Sequence, residues 1–501
     1  MPYSKKIPKT MSTQHPDNAT MPSFASDPIT LKGEDEILEA DYAFSKFHCT
    51  EQMWDYEGKD TDVDVVLKLL THNKPFFEEN QLGKNVFLTL RIPNPKVEKS
   101  LQKKVEEALH SIVVSHDLAT TFYNKKISPI FEVILPLTTS SDELMWVYNY
   151  YKKFVTGKEN ETLFKNTTVK NWIGESNPKT IELIPLIEDM KSLINIDTII
   201  KDYIKDRKKE KAPISHLRIF LARSDPALNY GFISATLLTK IALSKLQKLS
   251  DKINIPFYPI IGVGSVPFRG NFSPHNVDRV INEYPGIHTF TIQSSFKYDH
   301  PTQTINPQIK KLENRITEKS PTFDEAIYNK LIKKYTAQYQ EDLEKITDLV
   351  SVIAPLIPNR RSRRIHVGLF GYSREISNAK QKNRIILPRA ITFCASLYSI
   401  GIPPEILGLT SLNNDDIELI EAIYPSFKKD LADSLQYANA NIIQEILGTA
   451  SNNIASKYTK TIDEEHTGLT TLIFKRVKYN LYDYKTKELI EWASKIRKFL
   501  G

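Results

Sequence analysis

The feature that most constrains this chain is a series of short apolar runs, rich in β-branched residues and separated by long helical patterns. The runs are Val86–Arg91 (VFLTLR), Pro129–Pro136 (PIFEVILP), Ile181–Ile187 (IELIPLI), His216–Ala222 (HLRIFLA), Tyr258–Gly264 (YPIIGVG), Ile287–Gln293 (IHTFTIQ) and Ile365–Phe370 (IHVGLF). A strand wetted on one face alternates apolar with polar residues, whereas these runs are nearly continuous, as in a parallel sheet covered on both faces. The segments between them carry helix signals. Ser224-Asp225-Pro226 is an N-terminal signature, and Phe232, Ile233, Leu237, Leu238, Ile241 and Leu249 follow at helical spacing. A second helix is expected near Tyr335–Leu356. Seven strands alternating with helices, with a possible eighth near the N-terminus, predict an α/β fold, a (β/α)8 TIM-type barrel elaborated with additional helices. The barrel is expected over roughly 80–410 and a mainly helical layer over roughly 411–501, within a single domain of residues 1–501.

Composition narrows the function. The 501 residues allow two to four domains of about 100–200 residues, or one barrel of about 250 residues with long insertions. With 41% hydrophobic and 25% charged residues, the chain can bury a large core, so disorder is excluded. The 67 basic and 60 acidic residues leave +7, too mild for a dedicated nucleic-acid binder of this size. Cys49 and Cys394 are far apart and in no CxxC pair, which argues against disulfides and structural zinc and for a reducing, cytoplasmic compartment. Cys394 lies among apolar residues and reads as core. Residues Met11 to Asn18 are too polar for a secretory leader, and no apolar run reaches the 18 or so residues of a membrane span.

Polar residues cluster where the apolar runs end. Arg91 closes the first, Glu188 and Asp189 the third, Arg223-Ser224-Asp225 the fourth and Gln293 the sixth; Arg269 follows the fifth, and Tyr372-Ser373-Arg374 the seventh. In a parallel barrel these ends share one mouth, where barrel enzymes keep their chemistry. Any strand ends in polar residues because loops are wet, but two carboxylates with three arginines form a less ordinary set. Glu188 and Asp225 could share Mg²⁺ or Mn²⁺, and the arginines offer planar forks for phosphate or carboxylate. No GxxxxGK[ST], GxGxxG or GxSxG motif occurs, which leaves a small, doubly anionic substrate bound through metal and arginine as the favoured reading.

At Ser12–Asn18, STQHPDN, the chain resembles the short, archaeal-type phosphoenolpyruvate carboxylases. The similarity continues through EADYAFSKFHCTEQMWDYEGKDTD (Glu39–Asp62), LTLRIPNP (Leu88–Pro95), LARSDPALNYG (Leu221–Gly231), GVGSVPFRGNFSP (Gly262–Pro274) and LPRAITFCASLYSIGIPPEILG (Leu387–Gly408). The resemblance implies irreversible carboxylation of phosphoenolpyruvate by bicarbonate to oxaloacetate and phosphate, through carboxyphosphate and a metal-stabilised enolate. It also implies replenishment of the tricarboxylic acid cycle and a homotetramer. By motif it implies His15 (QHPDN) as catalytic histidine, Glu188 (IPLIED) and Asp225 (ARSDPALNYG) as ligands of Mg²⁺ or Mn²⁺, and Arg91 (LTLRIP) as a substrate-binding arginine. Arg269 (PFRGN), Arg374 (GYSREI) and Arg389 (LPRAI) follow as catalytic arginines, the last two also binding substrate. Two departures stand out: Leu228 occupies the place of a lysine in the long form of the family, and the glycine-rich loop is shortened to Phe268-Arg269-Gly270-Asn271 without its histidine.

Blander readings stand beside these. By composition alone, His15 lies in a disordered tail, and Arg389 could cap or snorkel at a helix start. Trp54-Asp55-Tyr56-Glu57-Gly58-Lys59 is either a binding loop or a surface turn with a packed Trp. Lys201–Lys211 reads as a solvated helix end. Arg360-Arg361-Ser362-Arg363-Arg364 is expected on the barrel face opposite the site, as a solvated or subunit-contact run rather than an anion or RNA site. The alternatives to the carboxylase are another barrel lyase or mutase acting on phosphoenolpyruvate or a keto acid, and a non-enzymatic anion- or RNA-binding protein.

Overall fold

The computed structural model describes residues 6–57, 61–362, 374–377 and 384–501. Eight parallel strands close a barrel: β1 (Thr10–Ser12), β2 (Glu51–Asp55), β3 (Phe87–Arg91), β4 (Glu132–Leu135), β5 (Glu182–Ile187), β6 (Leu217–Ala222), β7 (Phe257–Gly262) and β8 (Thr289–Ile292). They follow one another in chain order around the barrel, and β8 returns to β1 with Thr10 opposite Phe290 and Ser12 opposite Ile292. This is the elaborated (β/α)8 TIM-type architecture that the apolar runs predict.

Six of the seven expected runs are barrel strands, β3 to β8. The seventh, Ile365–Phe370, lies outside the described residues. The barrel is completed by β1 and β2, both N-terminal of residue 80, where the sequence pattern began it. Neither looks apolar: β1 reads TMS and β2 reads EQMWD. Their polarity has a physical cause inside the barrel. Along a strand every second side chain faces the same side. Met11, Met53, Ile134, Ile184, Leu186, Phe220, Ala222 and Ile260 form a separate buried cluster drawn from six strands, the barrel's interior packing.

Two residues earlier on the same faces sit Glu51, Glu132 and Arg218. Arg218 is fully buried and pairs bidentately with Glu51 (2.8 and 2.6 Å) and with Glu132 (2.9 Å); Thr89 donates to Glu51 as well. The floor of the barrel is therefore an ion cluster rather than an apolar layer. Burial raises the pKa of the Glu51 carboxyl, and Arg218 pulls it back.

Outside the barrel, the Ser224 signal does start a helix, α1 (Ser224–Tyr230), which breaks at Gly231 before α2 (Phe232–Ile253). Gly231 has φ +83°, and a Cβ there would lie 2.5 Å from the Tyr335 ring. The α2 helix is buried almost all round because α3 (Glu325–Ile353) covers it, Tyr335 and Tyr339 being fully buried. After β8 the barrel gains no further strand among the described residues. An antiparallel pair, Arg374–Ser377 with Arg384–Leu387, leads into α4 (Ala390–Ser399), and helices from Asn414–Ile423 to Tyr484–Arg497 follow. No single helix among the described residues is long and apolar enough to cross a membrane. Both cysteines are buried and free.

The basic run at 360 corrects an expectation. Arg360 and Arg361 are not solvated but 1% exposed. Arg360 donates to Ala19 O and pairs with Glu491, while Arg361 pairs with Glu36 and Glu39. Glu39 also pairs with Lys297, which donates to Ser12 Oγ at the C-terminal end of β1. The pair thus braces the mouth from behind instead of facing outward from the opposite end; Arg363 and Arg364 lie outside the described residues. The charged residues of the 201–211 run are mostly exposed, as expected, but Tyr203 and Arg207 are buried, and Arg207 forks onto Glu182.

Removing Arg218 should strand two buried carboxylates, at a cost of about 3–5 kcal/mol. Arg218→Met is expected to lower the thermal-unfolding midpoint by about 3–5 °C, and adding Glu51→Gln should recover part of that loss. Unfolding of the single variant at the wild-type temperature would contradict the cluster's role.

Candidate active site

The alternation that builds the floor also builds the mouth. On β2, Glu51, Met53 and Asp55 share the interior face; on β3, Thr89 and Arg91 do. Continuing β5 by two residues past Leu186 reaches Glu188, and continuing β6 past Ala222 reaches Ser224 beside Asp225, in the first turn of α1. These side chains meet around a cavity of about 100 Å³ at the C-terminal ends of the strands.

Among the residues expected at the site, His15, Arg91, Glu188, Asp225, Arg269 and Arg389 all line this cavity. The side chain of Arg374 lies outside the described residues. Glu188 and Asp225 come from adjacent, paired strands, β5 and β6. Arg389 stands immediately before α4, and Ala390 and Ile391 of its first turn border the cavity too. A helix N-terminus next to an arginine favours an anion. The capping alternative for Arg389 is therefore compatible with a place in the site.

Four residues to which the sequence assigned no individual role at the site join them. Asp55 grips Arg91 in a two-point ion pair, Oδ1 to Nε at 2.9 Å and Oδ2 to Nη2 at 2.5 Å. Glu57 approaches the same guanidinium at 3.3 Å. Both belong to the Trp54–Lys59 stretch, whose Trp54 is packed and fully buried while Asp55 and Glu57 line the cavity. Gln14 accepts from the Asp55 N–H and borders the cavity, as does Ser224. Alternation on EQMWD would have found Asp55, had the segment been recognised as a strand.

The electrostatics are strongly coupled. The His15 imidazole opens to the cavity but is otherwise enclosed by protein. Burial first, and then Arg91 and Arg269, hold its pKa well below the usual histidine range, so it is neutral near pH 7. Its Nδ1 lies 2.9 Å from Thr13 Oγ1. Burial raises the Glu57 carboxyl, with Arg91 opposing and Asp55 adding to the rise. Glu98 is pushed up to about 8, by burial and then by Glu57.

Arg269 proves to be a junction more than a free arm. Its Nε donates to Ser224 Oγ (3.0 Å), Nη1 to Asp17 Oδ2 (3.2 Å) and Gly501 O (2.6 Å), and Nη2 to Gln293 Oε1 (2.5 Å). Four of its five N–H donors are thus spent on protein. The guanidinium lies flat over Gly264, where a Cβ would stand 2.8 Å from Cζ. Asp17, two residues beyond His15, accepts from Ser295 N as well and so ties the histidine loop to the short helix that follows β8.

No group of three or more His, Cys, Asp and Glu with metal-binding geometry occurs among the described residues. Glu188 and Asp225 nonetheless supply two hard oxygen donors to one cavity, which suits a cation that keeps waters or substrate in its remaining positions.

The family model described as phosphoenolpyruvate carboxylase matches residues 7–501. The chain is similar to the phosphoenolpyruvate carboxylase of Methanothermobacter thermautotrophicus, with 45% identity over 499 residues, covering 99% of this chain and all of the relative. It is similar to those of Caldivirga maquilingensis (43% over 526 residues, 99% of each chain) and Picrophilus torridus (41% over 518 residues, 99% of each chain). With matches running end to end through every strand that carries the mouth, the chain belongs to the phosphoenolpyruvate carboxylase family, in its archaeal-type short form.

Proposed function

We propose that this chain carboxylates phosphoenolpyruvate with bicarbonate, releasing oxaloacetate and inorganic phosphate. The observation that carries the reading is the meeting, at one barrel mouth, of two carboxylates from adjacent strands, three arginines and a histidine held neutral. Such a set suits small anions that exchange a phosphoryl group. A neutral histidine in the same enclosed space suits the part of proton acceptor.

In this reading a bicarbonate oxygen attacks the phosphorus of phosphoenolpyruvate, and the bond from phosphorus to the enol oxygen breaks. Carboxyphosphate and the enolate of pyruvate result. Arg389, the first turn of α4 and Arg374 neutralise the phosphoryl and carboxylate charge, which is most of what a protein supplies in such a transfer. Arg91, already balanced by Asp55 and Glu57, presents a fixed rather than a mobile charge to the substrate. His15, being neutral, accepts the carboxyphosphate proton; the C–O bond then breaks to give CO₂ and phosphate. The enolate carbon captures CO₂ while Arg269 and its partners keep the mouth closed to water. A divalent cation, Mg²⁺ or Mn²⁺, held by Glu188 and Asp225 supplies Lewis-acid stabilisation of enolate charge when bound. The reading extends to one catalytic unit over residues 1–501 and to a cytoplasmic homotetramer whose product replenishes the tricarboxylic acid cycle.

The competing RNA-binding reading loses its main surface, because Arg360 and Arg361 are buried. A mutase or bicarbonate-independent lyase is separated by assay: oxaloacetate formation, followed with malate dehydrogenase, should require bicarbonate as well as a divalent cation.

Asp225→Asn should abolish turnover with an unchanged circular dichroism spectrum; a near-normal rate would remove Asp225 from the metal site. His15→Asn is expected to lower kcat about 10²–10⁴-fold, with phosphate still released and pyruvate gaining at the expense of oxaloacetate, as read by lactate and malate dehydrogenases in parallel. An unchanged product ratio would place the proton transfer elsewhere. Arg374→Ala should raise the KM for phosphoenolpyruvate, and an unchanged KM would refute its substrate contact.

A further inference from the structure

The matching motif Leu387–Gly408 carries Arg389 at the cavity near its start but ends in Gly-Ile-Pro-Pro-Glu-Ile-Leu-Gly, a stretch to which the reaction assigns no part. Glu405 lies there, in the single turn Pro404–Ile406, on a backbone stiffened by Pro403 and Pro404. Its side chain is fully buried, an uncommon place for a carboxylate. One oxygen, Oε1, accepts from the Phe268 N–H at 2.5 Å and from the Tyr398 hydroxyl at 2.9 Å. The other, Oε2, has no hydrogen-bond partner among the described residues.

Phe268 immediately precedes Arg269 in the turn Pro267–Arg269. Its carbonyl, on the peptide that joins it to Arg269, accepts from Arg223 Nη1 at 3.2 Å. Arg223 is itself buried and fixed through Nη2 to Phe232 O (2.9 Å) and Thr236 Oγ1 (2.7 Å). The backbone of Phe268 is therefore gripped on its N–H by a carboxylic group and on its carbonyl by a guanidinium. Neither group lines the active cavity.

We infer that Glu405, with Arg223, is a positioning residue that clamps the turn carrying Arg269, and that the clamp is firmer when Glu405 is ionised. The inference rests on the proposed part of Arg269 in carboxylation. A hydrogen bond from Phe268 N–H to a carboxylate is stronger than one to a neutral acid. The bare Oε2 opposes ionisation because a buried charged oxygen without a donor is costly. The two tendencies balance close to physiological pH: burial pushes Glu405 up to about 7, while its own backbone N–H, Tyr398, Phe268 and Arg223 pull it down. Asp430, on the helix Phe427–Leu435 that packs against the turn carrying Arg269, is itself pushed up by burial to about 6 and accepts from Asn271 Nδ2, two residues past Arg269, so the part played by Glu405 is the inflection that Glu405→Gln removes. From α4 come Cys394, whose thiol burial keeps well above its usual range, and Tyr398, likewise raised by burial. From α3 comes Tyr335, raised by burial, its hydroxyl donating to Leu407 O; Asp342 beyond it accepts from Gly408 N and pairs with Lys345. Protonation of Glu405 on acidification thus weakens the clamp, and kcat should rise with pH through about 7.

The test is the pH profile of kcat for the full chain between pH 5.5 and 8.5, with saturating phosphoenolpyruvate, bicarbonate and Mg²⁺. Glu405→Gln keeps the shape and an acceptor oxygen but cannot ionise. It should lack the inflection near pH 7, match wild type at pH 6 and fall about tenfold below it at pH 8, with the KM for phosphoenolpyruvate changed less than twofold. Tyr398→Phe removes one donor to the carboxylate and should move the inflection up by about one pH unit. An inflection unchanged in both variants, or absent from active wild-type enzyme, would overturn the inference. Wild-type protein making no oxaloacetate at any pH would instead overturn the proposed reaction.

Discussion

Arg269 draws together four segments that are remote in sequence: the His15 loop through Asp17, the start of α1 through Ser224, the end of β8 through Gln293, and Gly501. Each of those contacts fixes something the mouth needs. Asp17 sets the loop that presents His15, and Ser224 precedes Asp225. Gly501 N-terminally continues into Leu500, whose N–H closes back on Asp17 O. A buried guanidinium shared in this way is expensive to lose, since removing it leaves the Asp17 carboxylate buried and unpaired. The close approach over Gly264 and the two-sided grip on Phe268 follow from the same requirement that this one side chain should not move.

The barrel interior changes character from floor to mouth. Arg218 pairs with both Glu51 and Glu132 at the bottom, an apolar layer lies above them, and Asp55, Arg91 and Glu188 emerge at the top. All three layers come from the same strand faces at intervals of two residues. The floor's ions contact one another directly, and the mouth gathers four carboxyl groups, Asp55, Glu57, Glu188 and Asp225, with three arginines around a cavity. That balance suits a site that admits a divalent cation together with anionic substrates. It also explains why the histidine stays neutral: the nearest influences on His15 after burial are Arg91 and Arg269, with Asp55 only partly offsetting them.

What could be read from the sequence follows from the same layering. Strands β3 to β8 were legible because both of their faces are largely apolar. Strands β1 and β2 were not, because Glu51, Gln52 and Asp55 serve the ion cluster and the mouth, and β1 is only three residues long. The charge at 360–361 misled for the complementary reason: consecutive arginines read as solvated, yet each finds a buried carboxylate or carbonyl from a distant segment. In the site, residues at the ends of recognisable strands or inside family motifs, such as Glu188, Asp225 and Arg389, were found directly. Asp55 was hidden because its strand was not recognised, and the contact of Glu57 with Arg91 and the multiple bonding of Arg269 depend on tertiary proximity that no local spacing announces.

The central claim is that bicarbonate attacks the phosphorus of phosphoenolpyruvate at this mouth, and the fate of its oxygen atoms tests it most directly. Wild-type enzyme would be supplied with ¹⁸O-labelled bicarbonate, phosphoenolpyruvate and Mg²⁺, and the released phosphate and trapped product analysed by mass spectrometry. Attack through one bicarbonate oxygen followed by loss of CO₂ predicts a single ¹⁸O in each phosphate and the remaining label in the new carboxylate of oxaloacetate. Phosphate free of label, formed together with oxaloacetate, would contradict the account.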